Sequence, residues 1–576
     1  MPVHNADIAR IFEEIADLLE IGDANPFRVR AYRRASRVIG ELQFDAAAAI
    51  QRGEALPKLP GIGDDLSDKM HEIAKTGNSA LLDRLRGQLP AAITELLAIP
   101  GLGPKRVKTL YHDLDVHTLE QLHRAARDGR IRSLPGFGEK TELNILQAVE
   151  ARRTKVRRFK LATAAQYAGA FAEHLRSARG VGQVVLAGSM RRMRDTVGDI
   201  DILVTAADSS DVTERFVSYG EVRQVLSRGP TRASVTLRSG LQVDLRVVPA
   251  QSYGAALHYF TGSKAHNIAI RALAQERGLK VNEYGVFKGA QRVAGETEES
   301  VYTAVGLPFI PPELREDRGE IEAARAGNLP RLIELNDVKG DLHSHTKWTD
   351  GYDSVEAMAL AAKARGLSYL AITDHSRRLA AAHGLDPQRL RRQLDEIAGT
   401  ALPGITLLKG IEVDILEDGT LDLPDSVLRE LDIVIAAVHS SFNLSRARQT
   451  SRILRALANP LVTMLAHPSG RLIESREPYD VDMPQIVRKA AARGRFLELN
   501  AHPERLDLSD TYCRMAKDEG VLVSVNSDAH SVAQFDNLQY GIGQARRGWL
   551  TRKDVLNTRT CAELRALTGL ARQTAG

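Results

Sequence analysis

From residue 337 onward, short apolar segments alternate with stretches of helical periodicity, and that alternation constrains the fold more than any other feature of the chain. The segments read SYLAIT, ITLLKGIEV, DIVIAAV, VTMLA, RFLELN and VLVSVN, with a further strand opening at Val338. Seven strands joined by helical crossovers have to pair in parallel, because each crossover returns the chain to the same end of the sheet. The simplest solution is a (β/α) barrel, and such barrels place their functional side chains at the C-terminal strand ends. Those ends carry His343, His345 and Asp350 in DLHSHTKWTDG, His375 in ITDH and Glu412 in KGIEVD. They continue with His439 in AVHSS, His467 in LAHPSG, and Asp528 and His530 in NSDAH. His343 and His345, two apart on a strand, share one face. Six imidazoles and three carboxylates suit borderline divalent ions such as Mn²⁺, Zn²⁺ or Fe²⁺. Nine ligands exceed what one ion takes, so two to three are expected. Closely spaced ions can clamp both the attacking and the leaving oxygen of a phosphate ester, which predicts a metal-dependent phosphoesterase. His383 and His502 match no motif and read as surface or supporting residues.

At 576 residues the chain is too long for a single core. Its first 150 residues read as helical, with Ile8, Ile11, Phe12, Ile15, Leu18 and Leu19 at three- and four-residue spacing. An apolar-Pro-Gly-apolar-Gly turn recurs three times: LPGIG at 59–63, IPGLG at 99–103 and LPGFG at 134–138. In each, glycines permit positive φ and close backbone approach, and a helix then begins whose first amides can face a phosphate. One such turn is ordinary helical punctuation; three predict gripping of a nucleic-acid backbone, through Gly61, Gly63, Gly101, Gly103, Lys105, Gly136, Gly138 and Lys140. Charge points the same way. The net +5 lies in residues 1–336, since 337–576 hold 31 basic and 31 acidic side chains, and the densest basic run is RRTKVRRFK at 152–160.

Between 184 and 248 the pattern becomes strand-like: VVLAG, DIDILVTA, RASVTLRS and LQVDLRVV. Asp199 and Asp201 in GDID project to one face, within reach of Asp244 in VDLR. Three clustered carboxylates repel one another unless cations lie between them, and the physical use of that arrangement is to hold two Mg²⁺ (or Mn²⁺) ions for phosphoryl transfer. Gly188 and Ser189, on the turn after VVLA, and the nearby Arg192 can meet phosphate oxygens.

The succession GS-x-R-R-x₅-GD-x-D, VDLR, YFTGS-x₃-N-x₃-R and NEYG closely resembles the palm and thumb of family X DNA polymerases. AYRRASRVI and LPGIGDDLSDKM resemble the front domain of the same family. The resemblance implies that Asp199, Asp201 and Asp244 are catalytic metal ligands and that Ser189 and Arg192 bind the triphosphate of a dNTP. It further implies that Tyr259, Phe260 and Gly262 line the sugar pocket, Asn267 touches the incoming base and Arg271 approaches the template. Lys69 stands where polymerase beta has its lyase lysine, although Arg28 and Asp65 occupy places where the family has supporting lysines. The C-terminal half resembles the PHP (polymerase and histidinol phosphatase) domain at all nine ligand positions. That resemblance implies a 3′→5′ exonuclease, with AP-endonuclease or 3′-phosphoesterase activity as further expectations.

The expected fold is multidomain, α+β and α/β. It comprises a helix-hairpin-helix domain at 1–85, a second helical DNA-binding unit at 86–155, a nucleotidyltransferase palm at 156–250 and a thumb at 251–317. A linker at 318–336 and a distorted (β/α)₇ PHP barrel at 337–576 complete it. The expected function is short-gap filling in base excision repair, on gapped or nicked duplex DNA with a 5′ phosphate, by a monomer located in the cytoplasm with the nucleoid. Two isolated cysteines fit a reducing compartment, and neither a signal pattern nor an apolar run of ~20 residues points to a membrane. The competing readings are a DNA-binding repair scaffold with one active catalytic half and a small-molecule phosphatase. Intact ligand sets weigh against the first, and the three backbone-gripping turns against the second.

Overall fold

The computed structural model describes residues 3–568, except 41, 43, 55, 58, 60, 89–92, 98, 100 and 155–157. The N-terminal helices pack their predicted stripes together. Ile8, Phe12 and Ile15 of Asn5–Ile21 are buried against Tyr32 and Ile39 of Pro26–Gly40 and Met70 of Asp64–Thr76. In the three turns the first glycine takes the left-handed conformation, with φ of +74° at Gly61, +84° at Gly101 and +80° at Gly136. Gly63 and Gly103 then cap the helices Asp64–Thr76 and Pro104–Leu114 with no side chain covering the helix amides, and Gly138 directly precedes Glu139–Thr154. Those amides stay available to an anion.

The palm is a five-stranded sheet ordered Val181–Leu186, Asp199–Ala206, Gln242–Val248, Arg232–Leu237, Val222–Arg228. Only Asp199–Ala206 and Gln242–Val248 run parallel. The helix Leu161–Arg176 packs behind the sheet, with Phe171 stacked on Phe216 and Tyr219. Thumb helices Tyr253–Thr261 and Lys264–Glu276 follow, then a three-stranded antiparallel sheet. The strand Val222–Arg228 was not among the segments expected. Its sequence VRQVLSR is largely exposed and polar, so neither periodicity nor burial marks it.

The C-terminal sheet has seven parallel strands in strict sequence order. Strands such as Ile433–Ala437 and Phe496–Asn500 are buried along their whole length, as an inner sheet covered by helices requires. A parallel bridge between Ser344 and Ala529 brings the segments beyond the first and last strands together, nearly closing the ring. The first strand is Gly340–Asp341 rather than a run opening at Val338. His343 and His345 therefore lie just beyond it, in a segment fixed by hydrogen bonds such as His345 N to Ala529 O at 2.8 Å.

The thumb is joined to the barrel by the charge pair Arg546–Glu313 at 2.7 Å, and the palm by Arg471–Asp195 at 3.1 Å and Lys160–Glu504. The last of these, with the bonds from Arg158 to Thr196, turns the described end of the basic run at 152–160 toward protein; 155–157 lie outside the described residues.

Candidate active sites

In the palm, Asp201 and Asp244 are register partners across the one parallel strand pair, and Asp199 points to the same face two residues before Asp201. The mutual repulsion is visible in their ionisation. Burial, then Asp199 and Asp244, pushes the Asp201 carboxyl up to about 7, and burial with Asp244 also raises Asp199. Asp244 accepts hydrogen bonds from Ser234 Oγ and, at 3.0 Å, from Gln242 Nε2. Gly188 has φ +61°, and a Cβ there would lie 2.1 Å from Asp201 Oδ2, so only glycine lets this loop approach the carboxylates. Beside it Ser189 Oγ is buried without a hydrogen-bond partner, an orphan hydroxyl suited to a phosphate oxygen.

The side chains expected around the nucleotide are brought together in part. Arg271 lies over the Tyr259 ring at 5.1 Å and Arg246 over Phe260 at 5.1 Å. Asn267 donates to Tyr259 O at 2.7 Å while its Oδ1 stays buried and unpaired. Gly262, at φ +68°, has Arg192 Nη1 3.2 Å from where a Cβ would be. Arg192 itself is not directed at the carboxylates: its Nε donates to Glu316 at 3.1 Å and its Nη1 to Thr261 O. Lys69 stands apart on Asp64–Thr76, its ammonium held by Asp65 one turn earlier. An ammonium engaged in this way is not a free nucleophile.

In the barrel, eight of the nine expected ligands form three overlapping groups. These are His345, Asp350, His375 and His530; His343, His345 and Asp528; and His375, Glu412 and His439. Within each, the ligand atoms lie within 4.8 Å of one another. The ninth, His467, places Nε2 2.8 Å from Glu412 Oε1. His343 Nε2 and both ring nitrogens of His345 are buried without hydrogen-bond partners, an arrangement that costs free energy unless cations take up the lone pairs. Burial, with His530 and His375, pushes His345 down to about 3, which keeps it in the neutral, ligating form. Glu412 is held well below the usual carboxylate range despite its burial, by His439, His375 and His343. Asp528 is held down in the same way, chiefly by His343. His467 and Asp528 also adopt positive φ, +27° and +53°, as residues at strained functional sites often do. The donor set fits two or more divalent ions.

Comparison with known proteins agrees along the whole length. Family models match for a helix-hairpin-helix domain (residues 3–79), a SAM-like helix-hairpin-helix tandem (93–151), the DNA polymerase beta thumb (256–316) and the PHP domain (341–502). A Bacillus subtilis (strain 168) protein named DNA polymerase/3′-5′ exonuclease PolX is 38% identical over 570 residues, covering 98% of this chain and 99% of its own length. The chain belongs to the family X DNA polymerases that carry a PHP domain. The barrel half alone also matches proteins named probable phosphatases. One from Thermoanaerobacter sp. (strain X514) is 31% identical over 38% of this chain and 89% of its own length. One from Acetivibrio thermocellus is 32% identical over 34% and 83%. As a family X DNA polymerase whose PHP domain clusters ligands fit for divalent ions, the protein is an enzyme with a polymerase half and a metal-dependent hydrolase half.

Sequence reasoning missed the carboxylates that hold the cage ligands or, for Asp374, the loop between His345 and Asp350. Glu498 receives His343 Nδ1 at 2.6 Å and Asn526 Nδ2 at 2.9 Å, and Asp414 receives His439 Nδ1 at 2.7 Å. Asp374 collects Thr346 N at 2.8 Å, Thr346 Oγ1 at 2.6 Å and the Thr349 hydroxyl. Their signal was present in the strings RFLELN and KGIEVD, where a carboxylate interrupts a buried strand, and in ITDH, where one directly follows the buried strand Tyr369–Ile372. Glu498 fixes the His343 tautomer, so Glu498→Gln is expected to weaken metal binding about 10–100-fold, read by metal titration of the apo protein, with primer extension unchanged.

Proposed function

We propose that the protein fills short gaps in duplex DNA during base excision repair and trims 3′ ends with its PHP domain. The observation that carries this reading is the co-occurrence, in one chain, of a strand-borne carboxylate triad beside an orphan serine hydroxyl and a buried cage of unpaired imidazole nitrogens. Asp199, Asp201 and Asp244 would hold Mg²⁺ or Mn²⁺, which supplies charge neutralisation for nucleotidyl transfer from a dNTP. Ser189 and Arg192 receive the triphosphate, Tyr259, Phe260 and Gly262 the sugar, and Asn267 and Arg271 the base and template. The three glycine turns, with Lys105 and Lys140, grip the backbone of gapped or nicked DNA bearing a 5′ phosphate.

His343, His345, Asp350, His375, Glu412, His439, His467, Asp528 and His530 would hold two to three Mn²⁺, Zn²⁺ or Fe²⁺ ions, which supply Lewis acidity for phosphoester hydrolysis. The name of the Bacillus relative supports a 3′→5′ exonuclease, and the same cage could serve abasic-site or 3′-phosphate substrates. Lyase chemistry at Lys69 requires Asp65 to release it. A monomer acting in the cytoplasm on nucleoid DNA accords with this role; among the described residues no helix is long and apolar enough to cross a membrane.

The test is a 5′-labelled primer on a one-nucleotide-gapped duplex, with Mg²⁺ or Mn²⁺, with and without dNTPs, and with EDTA. Extension with dNTPs, shortening without them and neither in EDTA is the expected result. Absence of extension overturns the polymerase reading, and absence of shortening overturns the exonuclease reading.

A further inference from the structure

One helix of the barrel domain, Leu538–Arg547, packs against both the barrel and the palm loop that carries Met193. Gly541 faces the barrel, where a Cβ would meet Ala501 Cβ at 2.6 Å and Val525 Cγ1 at 2.8 Å. Two residues on, Gly543 faces the palm, where a Cβ would meet Met193 Cε at 2.4 Å. Met193 follows Arg192 in the loop beside the palm carboxylates and has φ +54°.

The helix ends in Arg547, whose guanidinium is buried. Its Nη1 donates to Arg192 O at 2.8 Å and Glu316 Oε1 at 2.9 Å, and its Nη2 to Asp510 Oδ2 at 2.8 Å. The same Glu316 oxygen accepts Arg192 Nε at 3.1 Å, with Arg194 more distant at 3.8 Å. Arg318 shares Asp510 at 2.9 Å. One carboxylate is thus divided between a nucleotide-site arginine and an arginine of the PHP domain.

We propose that Arg547 is a positioning residue for nucleotide binding: it keeps Glu316 paired when Arg192 leaves that carboxylate to meet the triphosphate. The inference rests on the reading of Arg192 as a triphosphate ligand. Glu316 is only 11% exposed, and a carboxylate so largely removed from water is costly to leave without a partner, so without Arg547 the release of Arg192 would be opposed by the charge it abandons. With Arg547 in place the charge stays neutralised and the Arg192 backbone stays anchored. The PHP domain thereby contributes to the polymerase reaction through a side chain that touches neither DNA nor dNTP.

Single-turnover gap filling at varied dNTP tests this in the full-length protein. Arg547→Ala is expected to raise the apparent dNTP Kd about tenfold, with the rate at saturation within about twofold of wild type. Adding Glu316→Gln to that variant restores affinity, because the amide leaves no charge behind. Loss of affinity that Glu316→Gln deepens would mark Arg547 as packing alone and overturn the inference. Shortening of a single-stranded primer without dNTPs reports whether Arg547→Ala folds. If it does not, Glu316→Gln alone carries the test: dNTP binding tightens a few-fold, and unchanged or weaker binding overturns the proposal. Arg192→Ala separates the two levels. An unaltered dNTP Kd there sinks the triphosphate reading itself, whereas an effect of Arg192→Ala without one of Arg547→Ala sinks only the role of Arg547.

Discussion

Asp201→Asn is expected to abolish primer extension, by about 10³-fold or more, while the same protein continues to shorten the primer. Asp201 is the middle member of the triad. It lies opposite Asp244 in register and two residues from Asp199, so its charge is felt by any cation placed among them. The substitution keeps shape and polarity and removes only the charge. The same change should make the protein more stable. Burial and two like charges raise the Asp201 pKa to about 7, so the folded chain holds a proton there that the unfolded chain has released. Wild-type stability therefore falls as pH rises from about 4 to about 7 and is lowest, as far as this group is concerned, above 7. Asparagine has no such penalty. Without divalent ions, the variant should exceed wild type by about 2 kcal/mol above pH 7, roughly half the full linkage value, with the gap closing as pH falls toward 4. Denaturant melts in EDTA at pH 8 and pH 5 measure it. Loss of activity with loss of stability at pH 8 would assign Asp201 to the fold rather than to a cation.

The parts of the sites that were legible are those where residue type and strand period speak together. Asp199 and Asp201 are readable because an i, i+2 pair must share a face, and the expected barrel ligands because they lie near or beyond the C-terminal ends of the parallel strands. What escaped is of two kinds. Glu498 and Asp414 lie within strands, where a lone polar residue ordinarily marks a solvent-facing position. A parallel barrel has no such face, so these carboxylates turn inward and hold imidazoles. The pairing of Arg192 with Glu316 escaped differently. The residue type of Arg192 correctly suggests an anion, but the anion it meets here is Glu316, 124 positions along the chain, and the arginine sharing that carboxylate comes from a different domain. No local pattern encodes pairings at that distance. The edge strand Val222–Arg228 escaped because pairing with Arg232–Leu237, rather than burial, makes it a strand.

Glu412→Gln is expected to abolish primer shortening and strip the barrel of metal while leaving gap filling intact. No other carboxylate of the cage touches so many ligands. Its two oxygens lie 2.8 Å from His375 Nδ1, 2.8 Å from His467 Nε2, 3.3 Å from His439 Nε2, 3.5 Å from His343 Nε2 and 3.7 Å from His345 Nε2. Two of the three ligand groups meet at His375, and Glu412 bridges that histidine to His439 and His467. Removing its charge leaves five imidazoles converging on a neutral amide, which cannot balance a divalent ion in a buried site. The resulting loss of hydrolysis should be about 10³-fold or greater, and of metal at least one ion per chain, measured by elemental analysis after dialysis. Added Mn²⁺ should restore little activity, since the missing element is charge rather than supply. Extension by the palm is the internal control, because the triad belongs to a different sheet and shares no ligand with the cage. Full metal content with lost hydrolysis would place Glu412 in proton transfer rather than ligation. Retained hydrolysis would move the nuclease out of the barrel.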